Sequence, residues 1–167
     1  MEHIDIEQTL AQMSTDIKRH IQAQKIENPA LIGIHSGGVW VAEQLYSLLD
    51  LTEPMGHLDI SFYRDDFTRI GMNPQVKPSH LPFSVDDRHI LLIDDVLHTG
   101  RTIRAALNEI FDYGRPASVS LAVLIDRSGR ELPMEANIVG HKIKLAPGQN
   151  IKLQGPEPLS LHLTQIS

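Results

Sequence analysis

The sequence contains no cysteine among its 167 residues. Disulfide bonds, thiolate nucleophiles and cysteine-ligated zinc sites are therefore excluded. No apolar run approaches the ~20 residues that a membrane-spanning helix needs. The first stretch, MEHIDIEQTL, has neither the basic nor the apolar region of a signal peptide. We therefore expect a soluble cytoplasmic protein with no membrane partner.

The chain also lacks an excess of basic residues. It has 21 acidic and 15 basic side chains, which gives a net charge of −6 with neutral histidines. This balance argues against nucleic-acid binding through overall charge, although it leaves room for a local basic patch. Apolar residues are plentiful, at 41% of the chain. A chain of this length and composition fits one globular domain with a core of its own.

Helical and strand-like patterns alternate along the chain. Apolar residues at helical spacing predict a first helix over residues 6–21, with Asp5 and Gln8 at its start and Asn28-Pro29 at its end. The following strands and helices are predicted at residues 30–34, 39–49, 58–62, 90–93, 100–113 and 119–125. Because several strands are apolar throughout, the pattern predicts an α/β fold with a buried parallel sheet.

Two regions differ from this alternation. Residues 64–82 are polar and rich in proline, and a loop of this length in a small domain is usually functional or disordered. Near the end of the chain, short apolar segments at 138–139, 151–153 and 159–163 predict strands of a small accessory element.

Residues 90–102 carry most of the chemical information. A buried strand leads to the adjacent carboxylates Asp94 and Asp95, and a loop with Thr99 and Gly100 then opens a helix. Ligands of open α/β sheets bind outside the carboxyl ends of strands, and a glycine-containing loop at a helix N-terminus suits a phosphate. Paired carboxylates can accept hydrogen bonds from vicinal hydroxyls or hold Mg²⁺ through its waters. The combination predicts a ribose 5-phosphate site; the alternative is an ordinary turn whose Asp and Thr residues cap the helix.

The same segment resembles the phosphoribosyl pyrophosphate (PRPP) motif of the type I phosphoribosyltransferases. Four further segments are similar, in order, to the PyrR family of bifunctional pyrimidine operon attenuators and uracil phosphoribosyltransferases: residues 59–66, 114–116, 121–127 and 130–133. The resemblance covers roughly residues 30–142. It implies a single phosphoribosyltransferase domain over residues 1–167, with a five-stranded parallel core sheet flanked by helices. A small hood would come from the C-terminal region and the N-terminal segment.

The resemblance also implies roles for individual residues. Asp94 and Asp95 would bind the ribose hydroxyls and hold Mg²⁺ indirectly, through water or the ribose. With them, Arg64 in the long loop would complete the catalytic set as a pyrophosphate contact. The residues implied to bind PRPP are His98, Thr99, Gly100, Arg101, Thr102, Ser36, Gly37 and Gly38. The residues implied to contact the nucleobase are Ile125, Asp126 and Arg127.

Three functions are compatible with this resemblance. The first is a uracil phosphoribosyltransferase that converts uracil and PRPP into UMP and pyrophosphate. The second is an attenuator that binds an mRNA leader, through basic residues such as Arg19 and Arg130, and senses UMP or UTP. Glu135 lies where we expect a basic residue in an RNA-binding member, which weakens this second hypothesis. The third is a purine-type phosphoribosyltransferase. The family also implies a homo-oligomer, a dimer or a larger assembly.

Overall fold

Five parallel strands form the main sheet of the protein, and a separate pair of strands forms an antiparallel hairpin. The computed structural model describes residues 3–60 and 79–165. In chain order, the elements are α1 (Ile6–Ala23), β1 (Ala30–Ile34), α2 (Gly37–Leu49), β2 (Gly56–Leu58), β3 (His89–Leu97), α3 (Arg101–Tyr113), β4 (Ser118–Arg127), β5 (Ile138–Ile143), β6 (Gln149–Gln154) and β7 (Ser160–Gln165). The predicted α/β class is confirmed.

The order of the strands creates a switch point between β1 and β3. In the sheet the order is β2-β1-β3-β4-β5. From β1 the chain passes through α2 to β2 on one side, whereas from β3 it passes through α3 to β4 on the other. Because these connections leave neighbouring strands in opposite directions, a crevice opens at the carboxyl ends of β1 and β3. Ligands of open α/β sheets bind at such a crevice.

Apolar layers cover both faces of the sheet. The layer beneath α1 and α2 includes Met13, Leu45, Leu91 and Ile93, and the layer beneath α3 includes Leu92, Ile103 and Ile110. Since neighbouring strand residues point to opposite faces, the unbroken apolar run of β3 supplies both layers. Among the residues described, none of the helices combines the length and apolarity that crossing a membrane requires.

The first helix ends earlier than the sequence predicts. It stops at Ala23, before the predicted stop at Asn28-Pro29. Lys25 takes a left-handed conformation with φ of 53°, and the N–H of Ile26 donates to the carbonyl of Ile21 at 2.9 Å. This is the hydrogen bond of a Schellman helix end, which usually has glycine at the left-handed position. A lysine there gives no sequence signal, so the sequence places the stop at Asn28-Pro29, although the apolar stripe over residues 6–21 ends close to the observed end of the helix.

β3 is longer than the apolar run that predicts it. The run covers residues 90–93, but the strand continues to Leu97 because β4 offers it a hydrogen-bonding partner along that length. Pairing with β1, in contrast, ends at Ile93. Asp94 and Asp95 therefore belong to the strand itself, on the part of β3 that extends beyond the end of its pairing with β1.

The prediction that residues 138–139 belong to the accessory element is wrong. These residues begin β5, which pairs in parallel with β4 and completes the main sheet. Only Ile138 is buried in this strand, and the mixed sequence that follows it, VGHKI, lacks the apolar pattern of a core strand. An edge strand has a neighbour on one side only, so its sequence need not be apolar throughout.

The hairpin of β6 and β7 lies beside the carboxyl end of β4 and the start of α2. Ile151 and Leu153 of β6 are buried in the apolar layer of α1 and α2, and Gly155 packs near the Trp40 ring of α2. Ile4, just before α1, lines a cavity together with Leu163 of β7. The hairpin therefore packs against the core beside α2, and its role as the hood stays a prediction.

Candidate active site

Two segments that are distant in the sequence meet at the crevice between β1 and β3. After β1 the chain turns at Ser36 into Gly37 and Gly38, the first residues of α2, and we call these three residues the 36–38 loop. Its glycines lie directly against the carboxylates of β3. A Cβ at Gly37 would overlap Oδ2 of Asp95. A Cβ at Gly38 would stand 2.7 Å from a carbonyl oxygen of β3 and 3.1 Å from Oδ1 of Asp94. Only glycine permits this approach of a loop to the strand.

The two carboxylates are held in place by main-chain hydrogen bonds. Oδ1 of Asp94 accepts the N–H of Asp95 at 2.9 Å, and Oδ1 of Asp95 accepts the N–H of Val96 at 2.8 Å. Asp94 is only 5% exposed, whereas Asp95 is partly exposed. Anchored carboxylates at the end of a strand can accept hydrogen bonds from neighbouring hydroxyls of a ligand.

Two helices begin at this edge of the sheet, and neither is capped by the side chain of its N-cap residue. Ser36 is the N-cap of α2 and Gly100 that of α3, and the side-chain contact described at these starts is that of the Thr99 hydroxyl with the N–H of Arg101. Neither helix has an acidic residue in its first turn. The first N–H groups of a helix lack intrahelical partners and carry its positive end. Both starts are therefore suited to bind an anion.

The loop that opens α3 has a fixed shape. Gly100 adopts φ of 95°, a conformation that favours glycine. The Thr99 hydroxyl accepts the N–H of Arg101 at 3.2 Å. The Thr99 carbonyl accepts the N–H groups of Glu131 and Leu132, each at 2.9 Å. The segment after β4 therefore holds the loop from outside, and Thr102 in the first turn of α3 remains partly exposed.

His98 begins this loop, and its ring lies against Gly129. A Cβ at Gly129 would stand 2.8 Å from its Nε2, so the glycine makes room for the imidazole. Partial burial lowers the pKa of His98 below its ordinary value of 6.5, and the positive charges of Arg127 and Arg130 lower it further, while Glu131 opposes them. These surroundings therefore favour the neutral form of the imidazole.

The expected nucleobase residues lie at the carboxyl end of β4. Ile125 is fully buried, and Asp126 and Arg127 are partly buried. Arg127 donates to Oδ1 of Asn150 in the hairpin at 2.9 Å, and burial lowers the pKa of Arg127 below its ordinary value. Asp126 accepts a hydrogen bond from Arg130 at 2.7 Å. This end of β4 is thus joined both to the hairpin and to the segment that follows the strand.

The structure brings most of the predicted site together. The 36–38 loop, the two aspartates, residues 98–102 and residues 125–127 all lie at the carboxyl edge of β1, β3 and β4. Arg64 lies outside the described residues. Arg19 is exposed on α1, 3.9 Å from the carboxylate of Asp16. Its neighbour His20 contacts Ser120 in the first part of β4, so this region of α1 is remote from the carboxyl edge.

Two features of the site were missed by sequence reasoning. Arg130 was predicted as an RNA contact, but its guanidinium bridges the carbonyl of His98 and the carboxylate of Asp126. His35 and His57, at the ends of β1 and β2, form a ring-to-ring hydrogen bond of 3.0 Å. The match of residues 130–133 to the PyrR pattern pointed to the region of Arg130. No sequence spacing could show that this side chain bonds to His98 and Asp126.

The fold and the family comparison define a phosphoribosyltransferase. The family model described as the phosphoribosyl transferase domain matches residues 3–154. The structure resembles a hypoxanthine-guanine phosphoribosyltransferase from Bacillus anthracis, with a TM-score of 0.68 and 17% identity over 87% of this chain and 81% of the other. It also resembles the hypoxanthine phosphoribosyltransferase of Trypanosoma cruzi, with a TM-score of 0.66 and 22% identity over 83% and 77% of the two chains. At these identities the likeness establishes the fold alone.

Sequence relatives narrow the class to one family. The chain is 58% identical over 165 residues to the bifunctional protein PyrR of Nitrosococcus oceani, covering 98% of this chain and 93% of that protein. It is 54% identical over 158 residues to the bifunctional protein PyrR of Pseudomonas syringae pathovar tomato, covering 95% and 93%. The chain belongs to the PyrR family, and the resemblance inferred from its motifs is confirmed.

Proposed function

We propose that this protein is a uracil phosphoribosyltransferase of the PyrR type and a regulator of pyrimidine genes. The observation that carries the activity is the meeting of the 36–38 loop with Asp94 and Asp95 between two uncapped helix starts. This arrangement supplies neighbouring places for a diphosphate, a diol and a monophosphate, which are the groups that PRPP presents. A purine-type enzyme is not favoured, because the relatives that cover nearly the whole chain are PyrR proteins.

The reaction asks the protein mainly for positioning. The bond between the anomeric carbon of PRPP and the pyrophosphate oxygen breaks, the bond from that carbon to uracil N1 forms, and the N1 proton leaves. Displacement at this carbon needs no covalent nucleophile from the protein. It needs the two substrates aligned and the charge of the departing pyrophosphate stabilised. The absence of cysteine from the chain is therefore compatible with the activity.

Each part of the site has a proposed task. Backbone amides at the start of α3, with the hydroxyls of Thr99 and Thr102, hold the 5-phosphate. Asp94 and Asp95 accept hydrogen bonds from the ribose hydroxyls. The amides of the 36–38 loop hold the pyrophosphate, since adjacent glycines allow the backbone to face it. Arg64, which lies outside the described residues, is proposed as a further pyrophosphate contact.

Mg²⁺ is the proposed cofactor. Among residues 3–60 and 79–165, no group of three or more acidic or histidine side chains is arranged to hold a metal ion. Mg²⁺ commonly uses only one or two carboxylates and takes its other ligands from water and substrate phosphates. Asp94 and Asp95 fit that pattern and would hold it through water or the ribose. When bound with PRPP, Mg²⁺ neutralises negative charge on the pyrophosphate.

The nucleobase is proposed to lie at the carboxyl end of β4. The Ile125 side chain is buried in the apolar layer of α1 and α2, so only its main chain can face the base, and Asp126 and Arg127 border the position. The Arg127 side chain is tied to Asn150 of the hairpin, so the hairpin limits the space over the base. Uracil is small enough to be read by main-chain groups of these segments.

The test of the activity is a competition assay. Labelled uracil, PRPP and Mg²⁺ are incubated with the protein, and UMP and pyrophosphate are measured. We expect UMP to form, and we expect hypoxanthine and guanine to be poor substrates in the same assay. If no UMP appears, or if a purine is used in preference to uracil, the proposed activity is wrong.

The regulatory half is proposed to act on an mRNA leader, with UMP or UTP bound in the same site. The candidate face consists of the exposed basic residues Lys18 and Arg19 on α1 and Lys25 just beyond its end, and Arg130 was predicted to join them. Because the Arg130 side chain bridges His98 and Asp126, Arg130→Ala would disturb the site as well as any RNA contact. It cannot test RNA binding by itself.

A cleaner RNA test uses residues outside the site. Filter binding of pyrimidine-operon leader RNA, with and without UMP, is compared for the natural protein, Arg19→Ala and Glu135→Lys. We expect Arg19→Ala to weaken binding and Glu135→Lys to strengthen it, because a phosphate backbone is repelled by a carboxylate and attracted by a cation. Absence of binding at low salt, or no response to either change, would overturn this half of the proposal.

We also propose a homo-oligomer in the cytoplasm, which sedimentation and cell fractionation would test.

A further inference from the structure

The segment after β4, residues 128–134, folds back over the loop that opens α3. Its backbone donates two hydrogen bonds of 2.9 Å to the carbonyl of Thr99. The side chain of Glu131 pairs with Arg101 at 3.0 Å. A Cβ on Gly100 would stand 3.0 Å from the Met134 side chain. We name these residues the strap, because they join the end of β4 to the 98–102 loop.

Arg130 is the member of the strap that contacts both sides. Its Nη1 donates to the carbonyl oxygen of His98 at 2.6 Å, and its Nη2 donates to Oδ1 of Asp126 at 2.7 Å. The Arg130 side chain is 28% exposed and the Asp126 side chain 12% exposed, so water screens this pair less than a surface ion pair. A planar guanidinium can serve two acceptors at a fixed distance, which a lysine ammonium on a flexible stem does poorly.

The two acceptors belong to different subsites of the proposed reaction. His98 begins the loop proposed to hold the 5-phosphate, and Asp126 ends the strand proposed to contact the base. Transfer to uracil requires the ribose and the base to be aligned, and small misplacements of such partners are costly to rate. One side chain that bonds to both subsites therefore fixes the distance between them.

We propose that Arg130 is a positioning residue for phosphoribosyl transfer, which holds the 5-phosphate loop and the nucleobase end of β4 in one arrangement. The proposal rests on the proposed function, because it concerns the site for PRPP and uracil. It replaces direct RNA contact as the first task of this side chain. Arg130 acts through the His98 carbonyl and Asp126, and not by touching the reacting atoms.

The kinetic test compares Arg130→Ala, Arg130→Lys and a matched arginine. Arg115 is exposed and lies before β4, at the opposite edge of the sheet, so Arg115→Ala is the control. For Arg130→Ala we expect the KM for PRPP to rise and kcat to fall, each by about tenfold, because a loosened loop loses ground-state binding and a misaligned ribose and base react more slowly. Arg130→Lys should give a partial effect, and the control should stay within about twofold.

A second readout reports directly on the loop. Partial burial and the charge of Arg127 do most to lower the pKa of His98, and the Arg130 charge adds a smaller contribution in the same direction. Titration of the His98 imidazole by NMR should therefore move upward in Arg130→Ala and stay close to the natural value in Arg130→Lys and Arg115→Ala. A general loss of stability would not produce this pattern, because it does not distinguish an arginine beside His98 from one at the other edge.

The outcomes separate this proposal from the proposed function. If the natural protein makes no UMP, the function fails, and binding of PRPP to the three variants still tests Arg130. If Arg130→Ala is folded, binds PRPP as tightly as the natural protein and leaves the His98 titration unchanged, the proposal is overturned. Should Arg130→Ala not fold, an Arg130→Lys protein with unchanged KM for PRPP would overturn it equally.

Discussion

The first N–H groups of α1 differ from those of α2 and α3 in the partners that are available to them. At α1, the Asp5 carboxylate accepts the N–H of Gln8 at 3.0 Å, and Glu7 adds a negative charge in the first turn. At α2 and α3, the N-cap side chain makes no cap, the Thr99 hydroxyl meets only the N–H of Arg101, and the first turns contain no acidic residue. Unpaired N–H groups at a helix end need some partner. α1 finds one within its own sequence, whereas for the other two we propose a bound ligand.

The difference coincides with position in the sheet. The starts of α2 and α3 lie at the switch point beside Asp94 and Asp95, and the start of α1 lies outside it. A cap of its own at α2 or α3 would stabilise the helix but would compete with a bound phosphate. A capping or acidic side chain should therefore support function-neutral stability at the start of α1 and should weaken ligand binding at the starts of α2 and α3.

The largest effect is expected where the carboxylates are neutralised and the helix starts are left intact. Asp94→Asn combined with Asp95→Asn keeps the size of both side chains and removes both negative charges. Turnover of uracil should fall by at least about a thousandfold, since groups aimed at the reacting centre are each worth about 10²–10³. Steady-state kinetics measures the loss, and circular dichroism checks that the fold persists. Full activity in a folded double variant would contradict the assignment of the ribose site.

A second change tests the contact between the 36–38 loop and β3. Gly37→Ala places a Cβ on the Asp95 carboxylate, so either the loop or the carboxylate must move. We expect kcat/KM for PRPP to fall by about thirtyfold to a hundredfold, since a displacement of about 1 Å can cost that much. Val39→Ala, two positions further along α2, is the control for a small change in this turn. An active Gly37→Ala enzyme would show that the close approach is not needed.

A third change adds to α3 the charge that α1 has. Thr102→Asp places an acid in the first turn, where it should leave helix stability unchanged or raise it by about 0.3–1 kcal/mol. The same charge repels a phosphate, and the KM for PRPP should rise about tenfold, which corresponds to about 1.4 kcal/mol. Thr102→Asn is the uncharged control. Thermal unfolding and kinetics together measure the two opposite effects. An Asp variant with normal KM would indicate that the phosphate binds elsewhere.

The smallest effect removes the cap of α1. Asp5→Ala should lower the free energy of unfolding by about 1 kcal/mol, because the N–H of Gln8 loses its acceptor. In a domain of this size, the melting temperature should fall by about 2–4 °C. The KM values for PRPP and uracil should not change. A kinetic defect without a loss of stability would contradict the division between a structural and a functional helix start.

Local features of the fold were predictable from the sequence. The buried strand, the two aspartates and the glycine before α3 follow one another within residues 90–102, so their order alone places carboxylates beside a helix start. The Asp5 cap was predictable for the same reason, since the Asp5 carboxylate and the N–H of Gln8 that donates to it are three residues apart. The end of α1 was not, because Lys25 takes the conformation that glycine normally marks.

Long-range features could not be predicted in this way. The contact of Gly37 with Asp95 and the bridge of Arg130 from His98 to Asp126 depend on which strands are neighbours and where each strand stops. Hydrophobic pattern does not encode these properties. β5 was misassigned because an edge strand with a polar outer half lacks the pattern of a core strand. The family resemblance supplied candidate residues, and the structure supplied their partners.

The most direct test of the central claim is an NMR titration of the amide groups with UMP and, separately, with pyrophosphate. We predict that UMP shifts the amide signals of residues 99–102 and that pyrophosphate shifts those of Gly37 and Gly38. Signals from the capped start of α1, at residues 6–8, should not respond to either ligand. Saturable shifts at α1, or no shift at residues 99–102 with UMP, would contradict the claim that the uncapped helix starts form the site.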